Sequence, residues 1–130
     1  MTQPAPQRVI TIAIIGTDEL SEVYYTYTSP VSGLSYTNCP TCDMKADQPT
    51  NLLFALDFNS AKNGWTITST SPRKGSPKLD SYEGALKQSV LVVDPYAEMV
   101  EHKFYIHYLN VLNDTEMERD PQIGNIVRPR

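Results

Sequence analysis

Two cysteines form the one pattern in this 130-residue chain whose residue types and spacing could do chemistry. Cys39 and Cys42 lie in the stretch NCPTCD, and a Cys-x-x-Cys pattern is typical of a thiol redox pair or of half a zinc site. A reactive redox pair places its first thiol at a helix N-terminus, where the helix dipole lowers the thiol pKa. The residues that follow, DMKADQP, predict no helix, so a thiol redox protein is an alternative that lacks its activating element.

Zinc needs four ligands in a structural site, and the only histidines that could complete one are His102 and His107. On one extended strand an odd separation puts their side chains on opposite faces, so both histidines cannot join both cysteines within one chain. The alternative is a metal-assembled oligomer, in which the Cys39 and Cys42 loops of two chains share one zinc across a two-fold axis. A surface turn with two free thiols and no metal is the remaining interpretation.

Catalytic motifs are not found in the sequence. There is no Gly-x-Ser-x-Gly, and the pair Lys74-Gly75 lacks the other parts of a phosphate loop. His107 is interpreted as a packed or half-exposed strand histidine and not as a general base. We therefore predict no catalytic residue, no enzymatic activity, and no cofactor other than a possible zinc.

Tyrosines concentrate on two of the predicted strands, and some of them must point outward. Exposed aromatic side chains on a sheet face often mark an interface, so we predict a homo-oligomer. The alternative is that these tyrosines are ordinary strand residues whose hydroxyls reach water. The candidate interface residues are Tyr24, Tyr25, Tyr27, Tyr105 and Tyr108.

The segments that must position these residues are rich in Tyr, Thr, Val and Ile and are separated by turns, which is typical of strands. The predicted strands cover residues 8–15, 23–28, 34–37, 52–58, 65–70, 89–93, 103–112, 115–119 and a short last strand through Ile123. Ile10, Ile12 and Ile14 are expected to share one face of the first strand. That strand is apolar on nearly both faces, which predicts a central strand or one covered on both sides.

Polar segments lie between these strands. Residues 38–51, which include both cysteines, are predicted to be a long surface loop, and residues 71–88 another. The strands over 52–58 and 65–70 are expected to pair as a hairpin, with Phe58 and Trp65 inward. The best helix candidate is the short segment 96–102, which lacks the length to bury a helical stripe.

Strands follow one another at short spacing in the second half of the chain, and no alternation of strands with helices is seen. This predicts an all-β fold, an antiparallel immunoglobulin-like β-sandwich with a long cysteine-containing loop. Residues 1–7 are predicted to be a flexible N-terminal arm, and residues 8–130 a single β-sandwich domain.

The net charge of −4 and the pI near 5.0 argue against nucleic acid or an anionic membrane surface as a partner, because both are recognised through basic faces. No segment reaches the roughly 20 apolar residues that a membrane-spanning helix needs. A cytoplasmic protein is therefore predicted. The sequence identifies no small-molecule ligand.

The C-terminal part of the chain resembles a known family. The strand FYIHY at 104–108 is followed by a turn at Asn113-Asp114 and then by DPQIGN at 120–125. This resembles the bacterial DP-EP family of small uncharacterised proteins, in which a strand pair ends in Asp-Pro-x-Ile-x-Asn and a late proline. The stretches LLFALDF and GWTITST upstream are similar to the same family. The resemblance implies an immunoglobulin-like sandwich and no catalytic residue.

Overall fold

A computed structural model describes residues 5–127, and within this range the chain is built mainly of β-strands. One short helix, α1 (Phe58–Lys62), and a 3-10 turn (Ala85–Lys87) interrupt them. The strands in chain order are β1 (Gln7–Ile15), β2 (Glu22–Thr28), β3 (Ser35–Cys39), β4 (Asp43–Ala46), β5 (Thr50–Leu56), β6 (Trp65–Pro72), β7 (Asp80–Glu83), β8 (Ser89–Asp94), β9 (Glu101–Asn110), β10 (Thr115–Arg119) and β11 (Gln122–Asn125).

The strands form two sheets that share one buried core. The six-stranded sheet has the order β3-β2-β1-β5-β8-β7. In the five-stranded sheet, β9 pairs with β6 on one side and with β10 and then β11 on the other, and β4 lies beyond β11. The predicted all-β sandwich is therefore confirmed.

Two strand pairs differ from the predicted antiparallel arrangement, because β1 runs parallel to β5 and β11 runs parallel to β4. β1 and β5 become neighbours although three strands separate them in the sequence. β10 and β11 are both antiparallel to β9 and so point the same way, and β4 is added beyond β11 in that same direction. The spacing of strands in the sequence does not reveal which strands become neighbours.

The predicted cysteine-containing loop at 38–51 is wrong, because the segment contains β4 and the start of β5. Met44 and Ala46 are fully buried, while Asp43 and Lys45 point away from the core. A strand of four residues is enough to place two apolar side chains in the core. With so few apolar residues, this pattern did not stand out from its polar neighbours.

The predicted hairpin over 52–58 and 65–70 is also wrong, because β5 and β6 belong to different sheets. The chain leaves β5 at Leu56, and the Asp57 carboxylate accepts a hydrogen bond from the Ser60 N–H at 2.8 Å, which caps α1. Phe58 consequently begins the helix and is 78% exposed instead of buried. The crossing brings Trp65 into the core, as predicted.

One further segment differs from prediction, because the polar segment 71–88 contains β7, whose Tyr82 pairs with Leu91 of β8. The helix candidate at 96–102 is not a helix: Tyr96 has a φ of 59°, and β9 begins at Glu101. Residues that satisfy a weak helical pattern over less than two turns do not bury a stripe large enough to stabilise it.

The first strand lies where its composition predicted. β1 is central in the six-stranded sheet, and Ile10, Ile12 and Ile14 are buried between the sheets. It begins at Gln7, inside the predicted arm, and the Pro6 carbonyl accepts a hydrogen bond from the Asn51 N–H. The rest of that arm, residues 1–4, lies outside the described residues. No helix in the described part of the chain is long and apolar enough to cross a membrane.

Candidate functional site

The cysteine pair forms the corner at which the chain passes from one sheet to the other. Cys39 is the last residue of β3, and Asp43 begins β4 in the opposite sheet. Cys42 is 3% exposed and packs in the core, and its carbonyl accepts a hydrogen bond from the Gln122 N–H. Both cysteines are free thiols, and Cys39 is half-buried.

Burial raises the pKa of the Cys42 thiol well above its ordinary value, and nearby Cys39 and Asp43 raise it further. Redox attack and zinc binding both use the thiolate, so Cys42 is poorly suited to either. A zinc shared between two chains would require Cys42 to leave the core, which leaves Cys39 as the accessible thiol. Within residues 5–127 no three His, Cys, Asp or Glu side chains cluster as metal ligands. The shared zinc site stays a prediction.

We expect one thiol per chain to react with a disulfide reagent such as Ellman's reagent under native conditions, because Cys39 is accessible and Cys42 is buried. In denaturant both thiols should react. The measurement is the thiol count over time, and the matched control is Cys39→Ser, which should remove the native signal and keep the Cys42 signal in denaturant. Rapid native reaction of both thiols would contradict this placement of Cys42.

The five candidate interface tyrosines do not form one surface, which corrects that prediction. Tyr25, Tyr27 and Tyr108 are buried between the sheets, where desolvation raises the pKa of each hydroxyl. Tyr24 and Tyr105 alternate with them and are half-exposed, on strands of different sheets. Neighbouring positions on a strand face opposite ways, so one tyrosine-rich strand supplies both core and surface.

An open cleft of about 790 Å³ lies beside the cysteine corner. The Arg119 guanidinium in its wall donates to the Ser21 carbonyl at 2.8 Å and to the Glu19 carbonyl at 3.2 Å, which ties β10 to the β1–β2 connection. The Nη2 group of Arg119 is thus engaged by backbone carbonyls, and the remaining charged groups of the cleft are acids. The cleft brings together three predicted site residues and four charged residues. The predicted residues are Tyr24, Tyr25 and Cys42, and the charged residues are Glu22, Asp43, Arg119 and Asp120.

A buried polar cluster joins the two sheets at another place. The Asn125 amide donates to Asp94 Oδ1 at 3.0 Å and to the Glu98 carbonyl at 2.9 Å. His102 Nε2 lies 4.0 Å from the same carboxylate oxygen, and His102 Nδ1 lies 3.3 Å from the Pro77 carbonyl. His102 faces inward whereas His107 faces outward, so the predicted opposite orientation of the two histidines is confirmed.

The outer face of the six-stranded sheet carries an apolar row that sequence reasoning missed. Val9 pairs with Leu53, Leu53 with Leu91, and Leu91 with Tyr82, so these four side chains lie in register across four strands. Val9 is 53% exposed and Tyr82 59% exposed. The sequence did contain one indication of this row. The apolar outer positions of β1 predicted a strand that is central or covered on both faces. We call Val9, Leu53, Leu91 and Tyr82 the apolar row.

The chain has a similar fold to a solved structure, the inclusion body protein (PixA) from Burkholderia cenocepacia. The TM-score is 0.58, with 8% sequence identity, and the similarity covers 95% of this chain and 98% of that chain. No protein-family model matches the chain, and no curated protein matches it. At this identity the similarity concerns the fold alone, and the resemblance to the DP-EP family stays a prediction.

Proposed function

We propose that this chain is a non-enzymatic, self-associating β-sandwich module. A homo-oligomer would form by packing the apolar row against the same row of a second copy. The observation that supports this proposal is the register of Val9, Leu53, Leu91 and Tyr82 on one exposed sheet face. A two-fold interface uses the same surface on both subunits, so a single self-complementary patch is sufficient.

The surroundings of the apolar row suit an interface. Four adjacent strands at about 4.8 Å spacing give a row roughly 14 Å long. One neighbouring row on the same face contains Thr11, Ala55 and Ser89, and the other contains Gln7, Asn51, Val93 and Asp80. Both rows mix polar residues with one apolar residue, so polarity increases away from the apolar row, as it does from the centre to the rim of an interface.

Two further points bear on this proposal. The solved structure with a similar fold is named an inclusion body protein, a name that prompts the question of self-association for this chain. We also propose a cytoplasmic location, since both cysteines are free thiols, which suits a reducing compartment.

The substitution Leu53→Lys tests the interface. It would place an unpaired charge at the centre of the apolar row, and we expect the dimer dissociation constant to rise roughly 100-fold, about 3 kcal/mol. Sedimentation equilibrium of the wild type and the variant over a range of micromolar concentrations measures this change. The side chain of Leu53 is on the outer face, so the variant is expected to fold.

Leu109→Lys is the matched control, because Leu109 is also a half-buried leucine but lies on the outer face of the five-stranded sheet. It pairs with Glu116, so the added lysine has an acidic neighbour. This variant should dimerise like the wild type. A wild-type protein that remains monomeric throughout the micromolar range would refute self-association. A Leu53→Lys variant that dimerises like the wild type would place the interface elsewhere.

A further inference from the structure

Three polar side chains meet on the outer face of the five-stranded sheet. His107 of β9 lies between Ser71 of β6 and Glu118 of β10. Ser71 Oγ is 2.7 Å from His107 Nε2, and His107 Nδ1 is 3.5 Å from Glu118 Oε2. The imidazole therefore faces a hydroxyl with one nitrogen and a carboxylate with the other.

The carboxylate determines how the hydrogen atoms are arranged. The Glu118 carboxylate, 3.5 Å from His107 Nδ1, favours the tautomer of the neutral ring that carries its hydrogen on Nδ1. In that tautomer Nε2 accepts the hydrogen bond that the Ser71 hydroxyl donates. This is the arrangement in which an imidazole acts as general base toward a serine, with the acid holding the ring in the required tautomer.

A β-bulge in β6 is what brings Ser71 to this face. Ile67 pairs with Tyr108, but the next paired residue is Ser69, opposite His107, so Thr68 is the additional residue. Trp65 and Ile67 point inward, and without the bulge Ser71 would also occupy an inward position. The extra residue reverses the alternation, as bulges do where a side chain is redirected.

A surface concavity adjoins the His107 imidazole. It measures about 470 Å³ and is lined by the bulge residues Thr68 and Ser69, by His107 and by Glu118. Ser71 is not part of this lining and reaches it only through its hydrogen bond to His107. The His107 side chain is 32% exposed and the Glu118 side chain 53% exposed, so reagents can reach the imidazole. The six-stranded sheet, which carries the apolar row, is not involved.

We propose that Ser71 is a nucleophilic serine and a site of covalent acylation by activated acyl esters, with His107 as its general base and Glu118 as a positioning residue. Ser71 Oγ forms a bond to the carbonyl carbon, and its proton passes to His107 Nε2. The bond from that carbon to the leaving oxygen breaks, and the leaving group takes the proton from His107. The product is an acyl ester of Ser71, so the modification does not depend on turnover.

The test uses p-nitrophenyl acetate, with site-resolved peptide mapping to separate Ser71 from lysine and cysteine acetylation. We expect acetylation at Ser71 to be faster than at Ser69 by a factor on the order of 100, the effect of a positioned general base. His107→Gln should lower the Ser71 rate by a similar factor. Circular dichroism of each variant establishes that it is folded.

The matched control is Ser35→Ala, since Ser35 is an exposed strand serine of the six-stranded sheet and lies outside this region. It should leave Ser71 acetylation unchanged. Glu118→Gln should lower the rate and also shift the His107 hydrogen from Nδ1 to Nε2, which nitrogen NMR detects. A Ser71 rate equal to that of Ser69, or one unaffected by His107→Gln, would show that the three residues form only a structural hydrogen-bonded row and would overturn the proposal.

Discussion

Trp65→Ala is expected to lower the free energy of unfolding by about 4 kcal/mol, one of the largest effects of any single substitution in this chain. The Trp65 ring is 1% exposed, and its indole N–H donates to the Gly16 carbonyl at 2.9 Å. Removing the ring leaves a cavity at the start of β6, and it also leaves the Gly16 carbonyl without this donor. Domains of this kind have only about 5–15 kcal/mol of stability in total.

The measurement is urea denaturation at fixed protein concentration, followed by far-UV circular dichroism because Trp65 is the only tryptophan. Trp65→Phe is the matched variant, since it keeps an aromatic ring and loses the indole donor. Its cost should be about 1–2 kcal/mol. If Trp65→Ala destabilised the protein no more than Trp65→Phe, the ring would not occupy the packed position described above.

Asn125→Ala is expected to cost about 3 kcal/mol, because it leaves a buried carboxylate poorly satisfied. Asp94 is 1% exposed, and its Oδ1 would keep only the Tyr96 N–H at 3.0 Å. Asp94 Oδ2 has no hydrogen-bond partner among residues 5–127. The free Glu98 carbonyl would add to the loss, since it accepts from the same amide.

Asn59→Ala is the control for this prediction. Asn59 is an exposed asparagine of α1, and replacing an exposed side chain of this kind usually changes stability by no more than about 0.5 kcal/mol. Denaturation midpoints of the two variants, compared with the wild type, measure the difference. Equal midpoints would mean that the Asp94 carboxylate does not depend on Asn125 for its stabilisation.

Much of the fold could be predicted from the sequence, because alternation along a strand is a local property. Ile10, Ile12 and Ile14 alternate with less buried residues, and they face the core as predicted. The turn at Asn113-Asp114 and the return strand after it are also present, and Asp114 adopts the positive φ that such turns use. Each of these features depends on neighbours in the chain.

The candidate sites were predicted less well, because each depends on which strands become neighbours. Val9, Leu53 and Leu91 come from three distant segments, and only sheet register brings them into one row. Ser71 faces His107 only because of the bulge at Thr68, and no residue type in GWTITST predicts a bulge there. Sequence reasoning therefore missed both.

The cysteine stretch shows the same difference between what the sequence determines and what the tertiary structure determines. From the sequence alone, Cys39 and Cys42 are two thiols with metal-site spacing and no following helix, which leaves a redox protein without its activating element. Only the tertiary structure decides that the stretch crosses between sheets and that Cys42 is in the core. The physical reason is that spacing along the chain determines which chemistry two residues could share. Burial, which raises the Cys42 pKa and withdraws the thiol from other chains, depends on side chains contributed by both sheets.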